Sequence, residues 1–233
     1  MLTNNEIKTI RSLKDKKFRD GLGLFVVEGE KMVGEALNSS LEVVAVHRVE
    51  EIGEAAMAKI SHLTTPSPVL AVVKIPSEPV PGSLRGLSVA LDSVRDPGNM
   101  GTIIRLSDWF GVSCIFCSPD CVDPYNPKVV QATMGAIFRK KIIFCDIPVL
   151  CRRFRSEGMP VYGTFLDGND IYRSELKSEG LIVMGNESNG ISPAVAAEVD
   201  ARLLIPSFGG SQAESLNVAV ATAVTLSEFK RRG

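Results

Sequence analysis

Residues 181–192 read Leu181-Ile182-Val183-Met184-Gly185-Asn186-Glu187-Ser188-Asn189-Gly190-Ile191-Ser192. Four apolar residues run without alternation into a polar loop bracketed by two glycines. A short unbroken apolar run of this kind reads as a strand covered on both faces, as in a parallel sheet. Open parallel sheets bind ligands just beyond the carboxyl ends of their strands, and this loop occupies such an end. Gly185 and Gly190 allow the backbone to approach a ligand closely, and Glu187 places a carboxylate in the same crevice. The loop is neither Gly-x-Gly-x-x-Gly nor the start of a Gly-Lys-Ser/Thr cradle, so a nucleotide phosphate is not expected here. A cofactor that carries adenosine without phosphate suits it better.

Working outward, the pattern repeats. Strands are expected at 87–91, 114–117, 141–144, 161–165 and 201–205 as well as 181–184. Helices are expected at 101–110, 127–137, 149–157, 193–199 and 215–231. Such alternation predicts an α/β fold with a largely parallel sheet. Upstream lies a smaller mixed unit, with helices over 4–19, 30–37 and 53–60 and strands over 24–27, 41–46 and 69–75. Between the two, Pro76-Ser77-Glu78-Pro79-Val80-Pro81-Gly82 punctuates the chain. The expected division is a domain over 1–76, a linker over 77–86 and a domain over 87–233.

Two further junctions resemble the first in kind. Leu91-Asp92-Ser93-Val94-Arg95-Asp96-Pro97-Gly98-Asn99-Met100-Gly101 takes a strand through a Pro-Gly turn into a helix that Asn99 is placed to cap. Helix N-termini offer free N–H groups to an anion. Arg105, six residues on, carries a five-donor fork suited to phosphate. The plainer reading is an exposed arginine on an ordinary strand-turn-helix. The third junction runs from Leu204-Ile205-Pro206 through a glycine-rich loop to Ser215-Leu216-Asn217-Val218-Ala219-Val220-Ala221. Its helix has thin sides that allow close packing on other backbone or on a partner; the plainer reading is a core helix with a serine cap.

Bulk properties set outer limits. With 233 residues, 45% hydrophobic and 23% charged, the chain can bury a sizeable core. No apolar run reaches the roughly 18 residues of a membrane span, and the N-terminus lacks the regions of a signal peptide, so a cytosolic location is expected. The cysteines Cys114, Cys117, Cys121, Cys145 and Cys151 are an odd number without a second Cys-x-x-Cys or a nearby histidine, so no metal site is expected. Net charge is −1, yet Lys8, Arg11, Lys14, Lys16, Lys17 and Arg19 crowd twelve residues. Such a cluster can meet phosphates, or form a solvated helix face.

Each motif alone is weak, but their order and kind are specific. Asn-x-Gly-x-x-x-Arg at Asn99, Gly101 and Arg105, Gly-Asn-Glu-x-x-Gly at Gly185 to Gly190, and Ser-Leu-Asn-Val at Ser215 to Val218 resemble the SpoU/TrmH family of RNA ribose 2′-O-methyltransferases, in the SPOUT superfamily. The stretch Asp123-Pro124-Tyr125-Asn126-Pro127-Lys128-Val129-Val130, followed by Met134-Gly135-Ala136, is similar too. Phe25-Val26-Val27-Glu28-Gly29-Glu30 resembles the family's small substrate-binding domain, of the ribosomal-protein L30e-like kind.

The resemblance implies a C-terminal parallel sheet tied in a trefoil knot, a homodimer, and S-adenosylmethionine bound in the knot. It assigns Thr164, Gly185, Asn186, Ile205, Pro206 and Leu216 to the cofactor. Asn99, Arg105, Glu187, Ser215 and Asn217 are assigned to catalysis, while Lys8, Arg11, Lys14, Lys16, Lys17 and Arg19 remain candidate RNA contacts on their charge alone. No membrane and no metal are expected from the apolar-run length and the cysteine spacing above, and among RNAs the N-terminal domain favours ribosomal RNA. Arg105 is the presumed base in some members; since arginine stays protonated above pH 12, anchoring a phosphate and stabilising a developing alkoxide is the other role open to it. Three positions depart from the family. Ala219 replaces a frequent second serine, Gln131 a frequent arginine, and the loop 207–214 is slightly longer. Competing readings are a transfer-RNA 2′-O-methyltransferase, a silent RNA-binding protein of the same fold, and a nucleotide-dependent metabolic enzyme.

Overall fold

The computed structural model of the chain describes residues 2–77, 79–209 and 215–232. The chain divides into two units. The first holds, in order, α1 (Asn4–Ser12), α2 (Lys16–Leu22), β1 (Leu24–Glu28), α3 (Glu30–Leu37), β2 (Val43–Arg48), α4 (Val49–Ile52), α5 (Glu54–Ile60) and β3 (Val69–Lys74). The second begins with β4 (Leu87–Leu91), α6 (Pro97–Trp109) and β5 (Ile115–Cys117). The chain then returns to the first unit for α7 (Pro127–Ala132) and a 3₁₀ turn at Ala136–Phe138. It finishes in the second with β6 (Ile142–Phe144), α8 (Ile147–Ser156), β7 (Val161–Asp170), β8 (Gly180–Met184), α9 (Pro193–Ala196), β9 (Ala201–Leu204) and α10 (Val218–Arg232).

The first unit is a three-stranded antiparallel sheet, order β1-β3-β2. Its middle strand is buried from Val69 to Val73 because helices cover it. Thr3 starts α1 with a capping box: its hydroxyl accepts from Glu6 N while the Glu6 carboxylate accepts from Thr3 N. One helix over 4–19 was expected. Instead α1 stops at Ser12 and α2 starts at Lys16, because Arg19 folds back to donate to Leu13 O and Lys14 O at 2.8 and 2.7 Å. Residues 123–139 group here rather than with the rest of 87–233. The reasons are non-local: Arg19 pairs with Asp123 at 2.6 Å, Phe25 meets Tyr125 at 4.9 Å between ring centroids, and Gln131 donates to Glu28 O.

The second unit carries a six-stranded parallel sheet, order β6-β5-β4-β8-β7-β9. Both central strands, β4 and β8, are buried at every residue, which is why their sequences do not alternate. One face packs Ala90, Phe116, Leu181 and Val183 against Leu150 and Phe154 of α8 and Val195 of α9. On the last helix, Phe229 stands edge-on to Tyr162 of β7 at 4.9 Å. The proline-rich stretch expected as a free linker is held: Arg153 donates to Pro81 O and Gly82 O, and Leu84 N donates to Glu157.

Several helix boundaries differ from expectation, three of them near the sheet's carboxyl ends or the chain's return. The helix after β4 begins at Pro97, because Asp96 caps it by accepting from Asn99 N at 2.8 Å, with proline at the first position. Asn99 is thus inside the helix and does not cap it. The helix expected over 127–137 stops at Ala132 and turns at Gly135, whose φ is +96°. The final helix begins at Val218, capped by Asn217 rather than Ser215, with Asn217 Oδ1 accepting from Ala219 N at 2.9 Å and Val220 N at 3.3 Å.

Candidate functional site

The carboxyl ends of β7, β8 and β9 and the start of α10 enclose a cavity of about 420 Å³ in the second unit. Its floor is the loop after β8, which is closed on itself. Asn186 and Gly190 exchange backbone hydrogen bonds at 2.9 and 3.0 Å, and Asn186 Oδ1 accepts from Ser188 N and Asn189 N. Gly185 is required by this closure, since a Cβ there would lie 2.3 Å from Gly190 C and 2.4 Å from Ile191 N. The close approach that glycine permits is to the loop's own backbone.

Two tethers bind this loop to the one after β4. Asn186 Nδ2 donates to Ser93 O at 2.7 Å, and buried Asp92 accepts from Ser192 N at 2.7 Å. Ser93 sits in left-handed backbone, φ 63°. Its hydroxyl and that of Ser118 donate to Asp120 at 2.6 and 2.7 Å, which with Arg95 holds that carboxyl at about 2.

A chain of side-chain amides runs from α10 to the loop. Asn217, fixed by the cap it makes, donates from Nδ2 to Asn99 Oδ1 at 2.9 Å. Asn99, buried on α6, donates in turn from Nδ2 to Glu187 Oε1 at 3.0 Å. Glu187 also accepts from Asn186 Nδ2 at 3.3 Å and Asp96 N at 3.4 Å. Each amide nitrogen in the chain has an acceptor, and Glu187, which can only accept when ionised, fixes the direction of the chain.

Of the residues expected at a cofactor, Thr164, Gly185, Asn186, Ile205 and Leu216 line the cavity, and Pro206 does not. Of those expected in catalysis, Glu187 and Ser215 line it, and Asn99 and Asn217 reach it through Glu187. Arg105 is not brought there. It is exposed on α6, on the same face as Thr102 and Trp109, the latter 83% exposed. Residues 210–214, within the loop that is longer than in the family, lie outside the described residues. Asp92 and Asp96 were not singled out from sequence. Aspartate directly before a Pro at the first helical position was the signal available for Asp96.

The lining contains no Lys, Arg or His among the described residues, and Glu187 is its one charge. Apolar walls come from Leu166, Leu203, Leu204, Leu216 and Val218. These surroundings suit a ligand with a large uncharged body and a cationic centre, and they offer nothing to a phosphate.

The basic segment belongs to the first unit. Lys8, Arg11, Lys14 and Lys17 are exposed and have no ion-pair partner among the described residues. Lys16 pairs with Asp20 at 2.6 Å, both exposed. Arg19 leaves the phosphate-contacting set: 2% exposed and paired with Asp123, it is part of the core. All five cysteines are free thiols, and the described residues contain no cluster of three or more His, Cys, Asp or Glu that could hold a metal. Nor is any helix among them long and apolar enough to cross a membrane.

Residues 86–227 match the model of the SpoU rRNA Methylase family, and residues 4–51 match an MRM3-like substrate binding domain. The chain is 31% identical to RlmP of Bacillus subtilis, a 23S rRNA (guanosine(2553)-2′-O)-methyltransferase, over 95% of this chain and 94% of that one. A structure of a TrmH-family protein from Porphyromonas gingivalis superposes with a TM-score of 0.92 at 41% identity, covering 100% of both chains. An AdoMet-bound rRNA methyltransferase from Sinorhizobium meliloti gives 0.89 at 33% identity, covering 100% of this chain and 96% of that one.

Proposed function

This chain belongs to the SpoU rRNA methylase family, and on that premise we propose that it methylates a ribose 2′-hydroxyl of ribosomal RNA with S-adenosylmethionine. The observation that carries the proposal is the cavity whose single charge among the described residues, Glu187, is tied through Asn99 to Asn217. All three family motifs therefore meet at one place. The residues present fit this cofactor. Apolar walls suit adenosine, glycine-rich backbone suits its ring nitrogens, and a carboxylate suits a sulfonium. Thr164, Gly185, Asn186, Ile205 and Leu216 would hold it, and when bound it supplies an electrophilic methyl group.

The chain's own residues then have three tasks. The first is to hold the 2′-oxygen in line with the methyl, since orientation is a large part of the barrier to bimolecular transfer. The locked amide chain gives Glu187 a fixed position for this. The second is to contact the target nucleotide, which we assign to Ser215 at the cavity lip. The third is to stabilise the alkoxide that develops as the 2′-hydroxyl proton passes to water. We assign that to Arg105, which donates without giving up its own proton. Because Arg105 is exposed beside Trp109 on α6, we place it in the active site of a second copy across a homodimer. A trefoil knot in the second unit belongs to the same reading. The first unit is assigned to substrate binding, in an L30e-like fold, through Lys8, Arg11, Lys14 and Lys17.

The test uses S-adenosylmethionine labelled in the methyl group and total RNA from cells lacking the protein. Label in large ribosomal RNA, released by alkali as a resistant dinucleotide, is the expected result. Label confined to a base or to transfer RNA would contradict the proposal. Cofactor binding without any transfer would favour a silent RNA-binding protein.

A further inference from the structure

Strand β7 does not run straight along β9. Thr164 and Asn169 both pair with Leu203, so Phe165-Leu166-Asp167-Gly168 stands out of the ladder as a four-residue bulge. Phe165 and Leu166 line the cavity, and Leu166 is 70% exposed at its edge. Two features close the bulge. Gly168 passes so near β9 that a Cβ would lie 2.6 Å from Leu203 C and 2.8 Å from Arg202 O. Arg202, on β9, reaches back over it. The guanidinium carbon of Arg202 lies 3.5 Å from the centroid of the Phe165 ring, and its Nη2 is 2.5 Å from Asp167 Oδ1. One side chain thus grips the first and third residues of the bulge.

Resting on the methyltransferase reading above, we infer that Arg202 is a positioning residue for S-adenosylmethionine, clipping the 165–168 bulge so that Phe165 and Leu166 form a wall of the cavity. Neither contact is strong. An exposed stacked cation and a surface ion pair together shift an equilibrium by about three- to tenfold. That is too little to decide whether the sheet forms. It is enough to change how often the wall is in place, and apparent affinity falls with the fraction of molecules that are binding-competent. Lysine could keep the charge pair with Asp167, but it lacks the planar guanidinium that stacks on Phe165. The other candidate role for an exposed arginine is a phosphate contact, which would act on RNA binding instead.

The experiment measures S-adenosylmethionine binding calorimetrically to the full chain, and kcat and KM for both substrates, in wild type, Arg202→Ala and Arg202→Lys. For Arg202→Ala, the dissociation constant and the KM for S-adenosylmethionine should rise by about three- to tenfold. kcat at saturation, the KM for RNA and the melting temperature should hold, and Arg202→Lys should fall between. Phe165→Leu should cost less affinity in the Arg202→Ala background than in wild type, because the two act as a unit. Unchanged cofactor affinity in Arg202→Ala would overturn the inference. So would a raised KM for RNA alone, which would make Arg202 a phosphate contact. Failure of the wild-type chain to bind S-adenosylmethionine would overturn the functional reading beneath it.

Discussion

The two units handle charge in opposite ways. In the first, Lys8, Arg11, Lys14 and Lys17 stand in solvent without fixed partners, and the one basic side chain of the cluster that is buried, Arg19, serves the fold. In the second, the described lining of the cavity holds a single carboxylate and surrounds it with amides whose orientations are determined one after another. A polyanion can be held by loosely placed cations, because counterion release does not demand fixed geometry. A small ligand poised for transfer does demand it. On the proposed function, the RNA-contacting charges of the first unit are set apart by exposure, and the cofactor-facing charge of the second by a connected hydrogen-bond network.

The sharpest way to break this contrast is to remove Asn217 from the second unit's network and, separately, the exposed Arg105 of α6. Arg105→Ala and Asn217→Ala should each lose activity by at least about a hundredfold as homodimers. Refolded together they should recover about a quarter of wild-type activity, since random pairing makes half the dimers mixed and each mixed dimer holds one intact site. No recovery, with heterodimers seen by native mass spectrometry, would mean that both residues serve the same subunit's site.

Gly185→Val tests whether the loop's closure matters apart from its chemistry. The new side chain would overlap Gly190 and Ile191 backbone, so the hairpin at Asn186 and Gly190 must open. Binding of S-adenosylmethionine should become undetectable by calorimetry, and the protein should melt several degrees lower, as about 1–3 kcal/mol of overpacking implies. Wild-type affinity in this variant would show that the loop tolerates opening.

The first unit gives a comparison within one helical pair. Breaking the buried Arg19–Asp123 pair by Arg19→Ala should cost about 3–5 kcal/mol and lower the melting temperature by about 10 °C. Replacing Lys14 and Lys17 by Gln should leave melting within about 1 °C, because exposed substitutions away from the core cost little. It should instead weaken RNA binding and flatten its salt dependence by nearly two phosphate contacts. An unaltered salt slope would return those lysines to a solvated face.

How far these features were legible in the sequence depends on their range. Strand β4 was expected over 87–91 and is found there, because an unbroken apolar run has one reading in a parallel sheet. The far half of β7, Leu166 to Asp170, was missed, because a bulge interrupts it and only Asn169 and Asp170 rejoin β9, which leaves no local pattern. Among site residues, the motifs pointed to Asn99, Glu187 and Asn217, but nothing in their spacing says that they touch across 88 and 118 residues. The burial of Arg19 was invisible for the same reason, its partner being 104 residues away. The start of α6 was legible and misread: Asp96-Pro97 is a start signal, and Asn99 competed with it as a plausible cap.

The smallest effect concerns the tether behind the site. Asp120 takes hydrogen bonds from Ser93 and Ser118 and pairs with Arg95, and these hold its carboxyl at about 2 against an ordinary value of 3.8. A carboxyl depressed on folding adds stability that is fully present above its unfolded value and is lost as pH falls through its folded one. Wild type should therefore melt above Asp120→Asn near neutral pH. The gap should narrow below about pH 4 and close near pH 2. With its side chain 46% exposed and Arg95 more so, the gap should be at most about 2 °C, since solvent screens such pairs. If Ser93 owes its left-handed backbone to this tether, Asp120→Asn should also weaken S-adenosylmethionine binding slightly, through the Asn186–Ser93 bond. A melting gap that persisted unchanged to pH 2 would show that the carboxylate's charge is not its source. Identical melting curves at every pH would show that the serine hydroxyls hold the turn without it.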